Sequence, residues 1–199
     1  MSRECSRLSI VNVGYRSTNY WVISAGRSRV LVDIGWPGTL GALKANLHRM
    51  GVPLAELRYA LATHYHIDHA GLAEELKREG VPLLVLDVQV DAIPFMKTWT
   101  KPADKYVEIT AEGNTVIPCA DSRALLAALG IADEILETPG HSDHCVSLLL
   151  DDGAAFTGDL PPEALSGENP MVLASWAKLR ERGAMRVYPA HRPIRPMDG

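Results

Sequence analysis

The sequence predicts an α/β domain, on three observations. Apolar runs of strand length recur along the chain, segments with apolar residues three and four apart lie between them, and glycines and prolines stand at the joints. Strands dominate each half, with helices interspersed. Periodicity leaves an α+β arrangement open and does not fix the topology.

The first strands run over Leu8–Val13, Asn19–Ala25 and Val30–Ile34, broken at Gly14 and at Gly26-Arg27-Ser28. Gly38–Met50 carries Leu40, Leu43 and Leu47 at helical spacing, with Pro37 before it and Gly51 after it as start and stop signals. Tyr59–Ala62 is a short apolar run suited to a buried strand, Gly71–Arg78 is helical up to Gly80, and Leu83–Leu86 is strand-like. The middle is less regular. Asp87–Lys97 permits a helix, while Thr98–Lys105, with Trp99 and Pro102 and no period, reads as a loop. Ser122–Leu129 reads as a helix closed by Gly130. Strands follow at Glu134–Thr138, Val146–Leu150 and Ala154–Thr157, the last two joined by the turn Asp151-Asp152-Gly153. The helix Met171–Arg182 and the strand Met185–Tyr188 complete the series.

These elements fit a single domain over residues 1–199, a length sufficient for one well-buried core. A hydrophobic share of 47% and a charged share of 22% belong to an ordinary globular protein. The formal charge of −4 leaves no electrostatic footprint for nucleic acid or an anionic membrane. The expected partner is a small-molecule substrate, without nucleic acid or membrane, a homodimer being possible. Cys5, Cys119 and Cys145 form no CxxC pair and read as separate thiols rather than a disulfide framework. No apolar run reaches the roughly 20 residues of a membrane span. Met1–Arg7 is polar, with no secretory core behind it. The expected location is cytoplasmic.

Seven histidines are present, and three fall within the six residues His64-Tyr65-His66-Ile67-Asp68-His69. The segment follows the strand Tyr59–Ala62 and precedes the helix near Gly71, so it reads as a strand-to-helix loop with water-facing histidines. Residues two apart in extended chain point the same way, so His64 and His66 can offer two imidazoles to one ion. The turn into the helix re-aims Asp68 and His69 toward a second ion nearby. Imidazole with carboxylate suits zinc, iron, manganese or nickel. Further candidates stand after strands, where functional groups are commonly carried: His141 in Pro139-Gly140-His141, Asp159 in Gly158-Asp159, and His191 after Tyr188-Pro189-Ala190.

The ordered set HxHxDH, PGH, GD and a late histidine resembles the metallo-β-lactamase superfamily, over a stretch from Leu8 to about Arg195. The resemblance implies an αβ/βα four-layer sandwich. It implies two divalent metal ions, zinc foremost with iron or manganese as alternatives. His64, His66 and His141 would hold the first, Asp68, His69 and His191 the second, and Asp159 would bridge them. Leu31-Val32-Asp33-Ile34-Gly35 looks like the family's first motif, whose aspartate orients ligands from behind. The implied chemistry is attack by a metal-bridging hydroxide on a small ester, thioester or lactone, with Asp68 as the catalytic proton acceptor. The sequence has no GxSxG elbow or Walker-type loop to supply another chemistry.

Departures from named branches narrow the substrate by exclusion. β-Lactamases of the superfamily usually lack the aspartate found at Asp159, lactonases carry a tyrosine where Leu160-Pro161-Pro162 stands, and flavodiiron proteins have Glu in place of His66. The alternative is an oxidoreductase similar to the single-iron persulfide dioxygenases, which resemble the chain around His141, Cys145 and Ala155–Asp159 but carry an arginine motif not evident here. His48 is expected on a solvent-facing helix surface. His144 is expected to be exposed, without a ligand role. The stretch Ile93–Tyr106 reads equally as a wall of the substrate pocket or as a cover over a hydrophobic edge.

Overall fold

Along most strands, neighbouring side chains enter two different apolar environments, and this alternation builds the layers. The computed structural model describes residues 8–197; Met1–Arg7, with Cys5, and residues 198–199 lie outside the described residues. The first sheet joins β1 (Ser9–Asn12), β2 (Trp21–Ala25), β3 (Ser28–Val32), β4 (Leu57–Leu61), β5 (Leu83–Leu86) and β6 (Asn114–Ile117) in that order. Its β1–β3 are antiparallel, and β3–β6 run parallel. In β3, Leu31 faces an outer cluster with Leu43 and Leu47 of α1 (Leu40–Arg49) and Leu76 of α3 (Ala73–Arg78), while Val30 and Val32 face inward.

The second sheet is ordered β11 (Arg195–Pro196), β10 (Arg186–Pro189), β9 (Ala154–Gly158), β8 (Val146–Leu150) and β7 (Asp133–Glu137). Val146, Leu148 and Phe156 meet Ile23, Val32, Leu61 and Leu84 between the sheets, with Leu126 of α4 (Ser122–Ala128) joining them. Leu149, Ala155 and Val187 turn outward onto Val172, Trp176 and Leu179 of α5 (Pro170–Glu181). Helices therefore cover both outer faces of two packed sheets, an αβ/βα sandwich. Among the described residues, no helix is long and apolar enough to cross a membrane.

Several local readings are corrected. The helix after β4 begins earlier than Gly71: a short α2 (Ile67–Ala70) precedes α3, so Asp68 and His69 already lie in a helical turn. Asp87–Trp99 is a 3-10 helix containing Pro94, which lacks the N–H a continuous α-helix needs. Pro102–Asp104 forms another 3-10 turn inside the stretch read as loop. Strands β6 and β11 carry little periodic signal: β6 is an edge strand with Val116 half exposed, and β11 spans two residues.

Candidate metal centre

The ends of β3, β4, β9 and β10, with the turn after β7, converge at one edge of the sandwich. Beyond β4 the chain stays extended to His66, whose backbone (φ −99°, ψ 161°) precedes α2. His64 and His66 thus lie on one side, their rings 4.5 Å apart, and the turn of α2 brings Asp68 and His69 beside them. His64 and His69 are fully buried, which corrects the expectation of water-facing histidines. His66, His141 and His191 keep access to solvent.

The sheets contribute to the edge together. His141 Nε2 lies 3.1 Å from His66 Nδ1, and His64, His66 and His141 form a triad of convergent nitrogens. His191 Nε2 lies 3.1 Å from Asp68 Oδ2, and Asp68, His69 and His191 form a second triad. Asp159 sits between them. Its Oδ2 is 3.9 Å from His64 Nε2, 3.4 Å from His69 Nε2 and 3.6 Å from His141 Nε2, and its Oδ1 is 3.3 Å from His191 Nε2. The structure brings all seven sequence candidates into one cluster.

Asp33 sits behind it, almost fully buried and in the left-handed backbone region at φ 62°, a conformation non-glycine residues rarely keep without a reason. Its Oδ1 accepts from the Thr63 backbone N–H at 2.9 Å and the Thr63 hydroxyl at 2.8 Å, and its Oδ2 faces His69 Nδ1 at 3.1 Å. Thr63 Oγ1 also lies 3.2 Å from His64 Nδ1. One carboxylate therefore fixes a histidine of each triad, directly for His69 and through Thr63 for His64.

Sequence reasoning missed three positions. Thr63 could have been suspected from its place before His64. Thr18 donates its hydroxyl to Asp68 Oδ2 at 3.1 Å, and the Ser17 carbonyl lies 2.9 Å from His191 Nδ1; neither residue carries a motif. Gly158 is required: at φ 54°, a Cβ there would overlap the Thr63 side chain.

The field of the cluster divides the histidines. Burial lowers the pKa of His64, helped by nearby His69; burial also lowers His66 and His141. His69 feels the same burial, but Asp33 and Asp159 outweigh it and raise its pKa to about 10. Contacts with Asp159 and then Asp68 raise His191 to about 11. Burial pushes Asp159 and Asp68 upward, yet hydrogen bonding to His191 in particular holds both below their ordinary value.

The residues fit divalent cations on two counts. His64 Nε2 is buried without a hydrogen-bond partner, an arrangement that leaves a polar atom unsatisfied unless a cation takes its lone pair. The donor set of imidazoles and carboxylates is also that of borderline transition metals.

The profile of the metallo-beta-lactamase superfamily matches residues 13–191. The chain belongs to this superfamily. It is 27% identical over 187 residues to a beta-lactamase-like protein 2 homolog of Caenorhabditis elegans, covering 90% of the chain and 57% of that protein. A lactamase-like protein of Arthroderma benhamiae is 33% identical over 147 residues, 72% of the chain and 28% of that protein. The chain thus spans about half or less of the length of these curated relatives. A probable metallo-hydrolase of Methanocaldococcus jannaschii is 28% identical over 206 residues and matched almost end to end, 94% of the chain and 93% of that protein. Among solved structures, the BLEG-1 B3 metallo-beta-lactamase superposes with a TM-score of 0.72 at 19% identity, covering 96% of this chain and 95% of that one. A metallo-beta-lactamase family protein of Thermus thermophilus superposes with a TM-score of 0.69 at 22% identity, over 94% and 74%. Both establish the fold and no more.

Outside the cluster, His48 is exposed on α1 as expected. His144 is not exposed: it is half-buried in a cleft wall, with Nε2 shielded and unpartnered. The stretch Ile93–Tyr106 covers a hydrophobic edge and also borders a cleft. Phe95 and Trp99 line that cleft, while Met96 is buried in the outer core with Ile93 and Tyr106 packed against it. Cys119 and Cys145 are free thiols, burial raising the pKa of both.

Proposed function

We propose that this chain is a dinuclear metal-dependent hydrolase, with zinc as the leading metal, acting on a small ester, thioester or lactone. The observation that carries it is Asp159, whose two oxygens face histidines of both triads at 3.3–3.9 Å. His64, His66 and His141 would hold one ion, Asp68, His69 and His191 the other, and Asp159 would be shared. Bound there, two divalent cations supply Lewis acidity toward a carbonyl oxygen and a lowered pKa for water.

The remaining work falls to the chain. Asp33 orients His69 and, through Thr63, His64, so that their outer nitrogens point into the groove. The Ser17 carbonyl holds His191 at Nδ1 and leaves Nε2 for the site. Asp68, whose Oδ2 accepts from the Thr18 hydroxyl, would be the carboxylate that takes up a proton.

Elemental analysis of the purified chain, paired with a panel of thioesters, lactones and phosphodiesters, tests the proposal. Two ions per chain and hydrolysis lost on chelation are expected. A fully active form with one iron would overturn it in favour of an oxidoreductase.

A further inference from the structure

His64 and His66 stand just beyond β4, whereas His141 stands on the loop between β7 and β8, in the other sheet. The first triad needs these two segments at a fixed gap, across which His141 Nε2 and His66 Nδ1 meet at 3.1 Å. Asp33 steadies the His64 side by way of Thr63. The His141 loop is closed at its base, where Thr138 N–H donates to the Cys145 carbonyl at 2.9 Å, and Gly140 N–H donates to the Ser142 carbonyl at 3.2 Å. Val146 N–H then ties the loop's end to the Thr63 carbonyl at 2.9 Å.

A side chain spans the same gap. Gln89 is completely buried, the third residue of the 3-10 helix Asp87–Trp99, and carries no motif. Its Nε2 lies 3.0 Å from the Ala62 carbonyl, 3.3 Å from the Thr63 carbonyl and 3.4 Å from the His144 carbonyl. Three carbonyl oxygens around one atom settle the orientation of the amide, because only its NH2 end can donate to them. The other end is engaged as well: Oε1 accepts from Leu86 N–H at 3.3 Å, which fixes the side chain to the start of its own helix. Removing such a group leaves carbonyls buried with fewer donors, a larger cost than losing a hydrogen bond in water.

We propose that Gln89 is a positioning residue of the first triad. It gathers the carbonyl of the residue before His64 and the carbonyl three residues after His141, and so sets the gap across which His64, His66 and His141 converge. This deepens the dinuclear reading and rests on it. The second triad lies beyond the reach of this clamp, so the effect of losing it should be one-sided.

Zinc affinity in two backgrounds of the full chain tests it, by competition with a chromophoric chelator: His191→Ala keeps the first triad and His141→Ala keeps the second. Gln89→Met, similar in length but without hydrogens to give, should weaken zinc about tenfold in the first background and leave the second unchanged. Leu47→Ala, which opens the outer core under α1, should lower urea stability and change neither affinity. On the metal-free chain, Gln89→Met should speed hydrogen exchange of Val146 N–H about tenfold and leave Ala190 N–H, next to His191, unchanged. The unsubstituted chain supplies a reading that does not depend on that variant folding: the Gln89 side-chain amide hydrogens should exchange slowly. Equal weakening in both backgrounds, an unaltered first triad, or fast exchange of that amide would overturn the proposal. One-sided weakening in a chain that hydrolyses no ester, thioester or lactone would leave Gln89 in its role and overturn the hydrolase reading. An unsubstituted chain that binds no zinc would overturn both.

Discussion

Strands β7 and β9 both pair antiparallel with β8, so they run the same way, and Asp133 at the start of one lies at the opposite end of the sheet from Asp159 after the other. Both carboxylates suffer burial, with different results. Asp133 is fully buried, receives the Asp151 backbone N–H at 3.3 Å, leaves Oδ2 without a partner and has Asp151 and Asp152 nearby; burial pushes its pKa up to about 7. Asp159 is held well below the carboxylate range, because four imidazoles face it. Burial alone would neutralise an aspartate. The fold keeps one charged by surrounding it with imidazole nitrogens, and that charge is what a cation would meet.

The largest test of this contrast is Asp159→Ala. It should deplete both triads of metal and lower kcat/KM by more than about 100-fold, since loss of an outer-shell partner alone costs about 10–100-fold. Two tightly held ions in that variant would break the comparison. Next is Asp33→Asn, which should weaken metal affinity about 10–100-fold, more at the second triad because Asp33 faces His69 itself. Competition with a chromophoric chelator would read both sites.

A subtler effect is proton release on loading. With pKa values of about 10 and 11, His69 and His191 are protonated at pH 7 in the metal-free chain, whereas His64, His66 and His141 are shifted down and neutral. Filling the second triad should release about two protons and filling the first almost none, so affinity at the second should climb more steeply with pH. Titration calorimetry in buffers of different ionisation enthalpy measures this, and equal release at both steps would contradict it.

The smallest effect concerns Asp133. Its folded pKa is raised, so the stability of the neutral form is fully present below about pH 4 and is lost as pH rises through about 7. Asp133→Asn should leave urea stability unchanged near pH 4. It should raise it by about 1–2 kcal/mol at pH 8, less than the shift implies because the amide hydrogens also need partners. A benefit confined to acid pH would reverse the assigned cause.

The candidate cluster was legible because four of its members fall within His64–His69, where packing offers no reason for such residues. His141, Asp159 and His191 each stand alone on a loop and gain meaning only from the order of motifs that resembles a known superfamily. Thr18 and Ser17 were beyond reach, since they act through a hydroxyl and a backbone carbonyl across about fifty and 174 residues. Strand and helix periodicity reached an α/β or α+β domain, the four layers came only with the resemblance to the superfamily, and β6 and β11 escaped because an exposed edge strand and a two-residue strand bury too little to leave a pattern.

The contact between Gly158 and Thr63 gives the site a gauge. Backbone from the second sheet rests directly against a side chain of the first, and the Thr63 carbonyl accepts from Val146 N–H at 2.9 Å to keep it there. The separation of the His64 loop from the Asp159 loop is therefore set by a hydroxyl against bare backbone rather than by the ligands. Ligand types could change over a lineage with the cradle width unaltered, whereas a single methyl at position 158 would act as a shim and widen it.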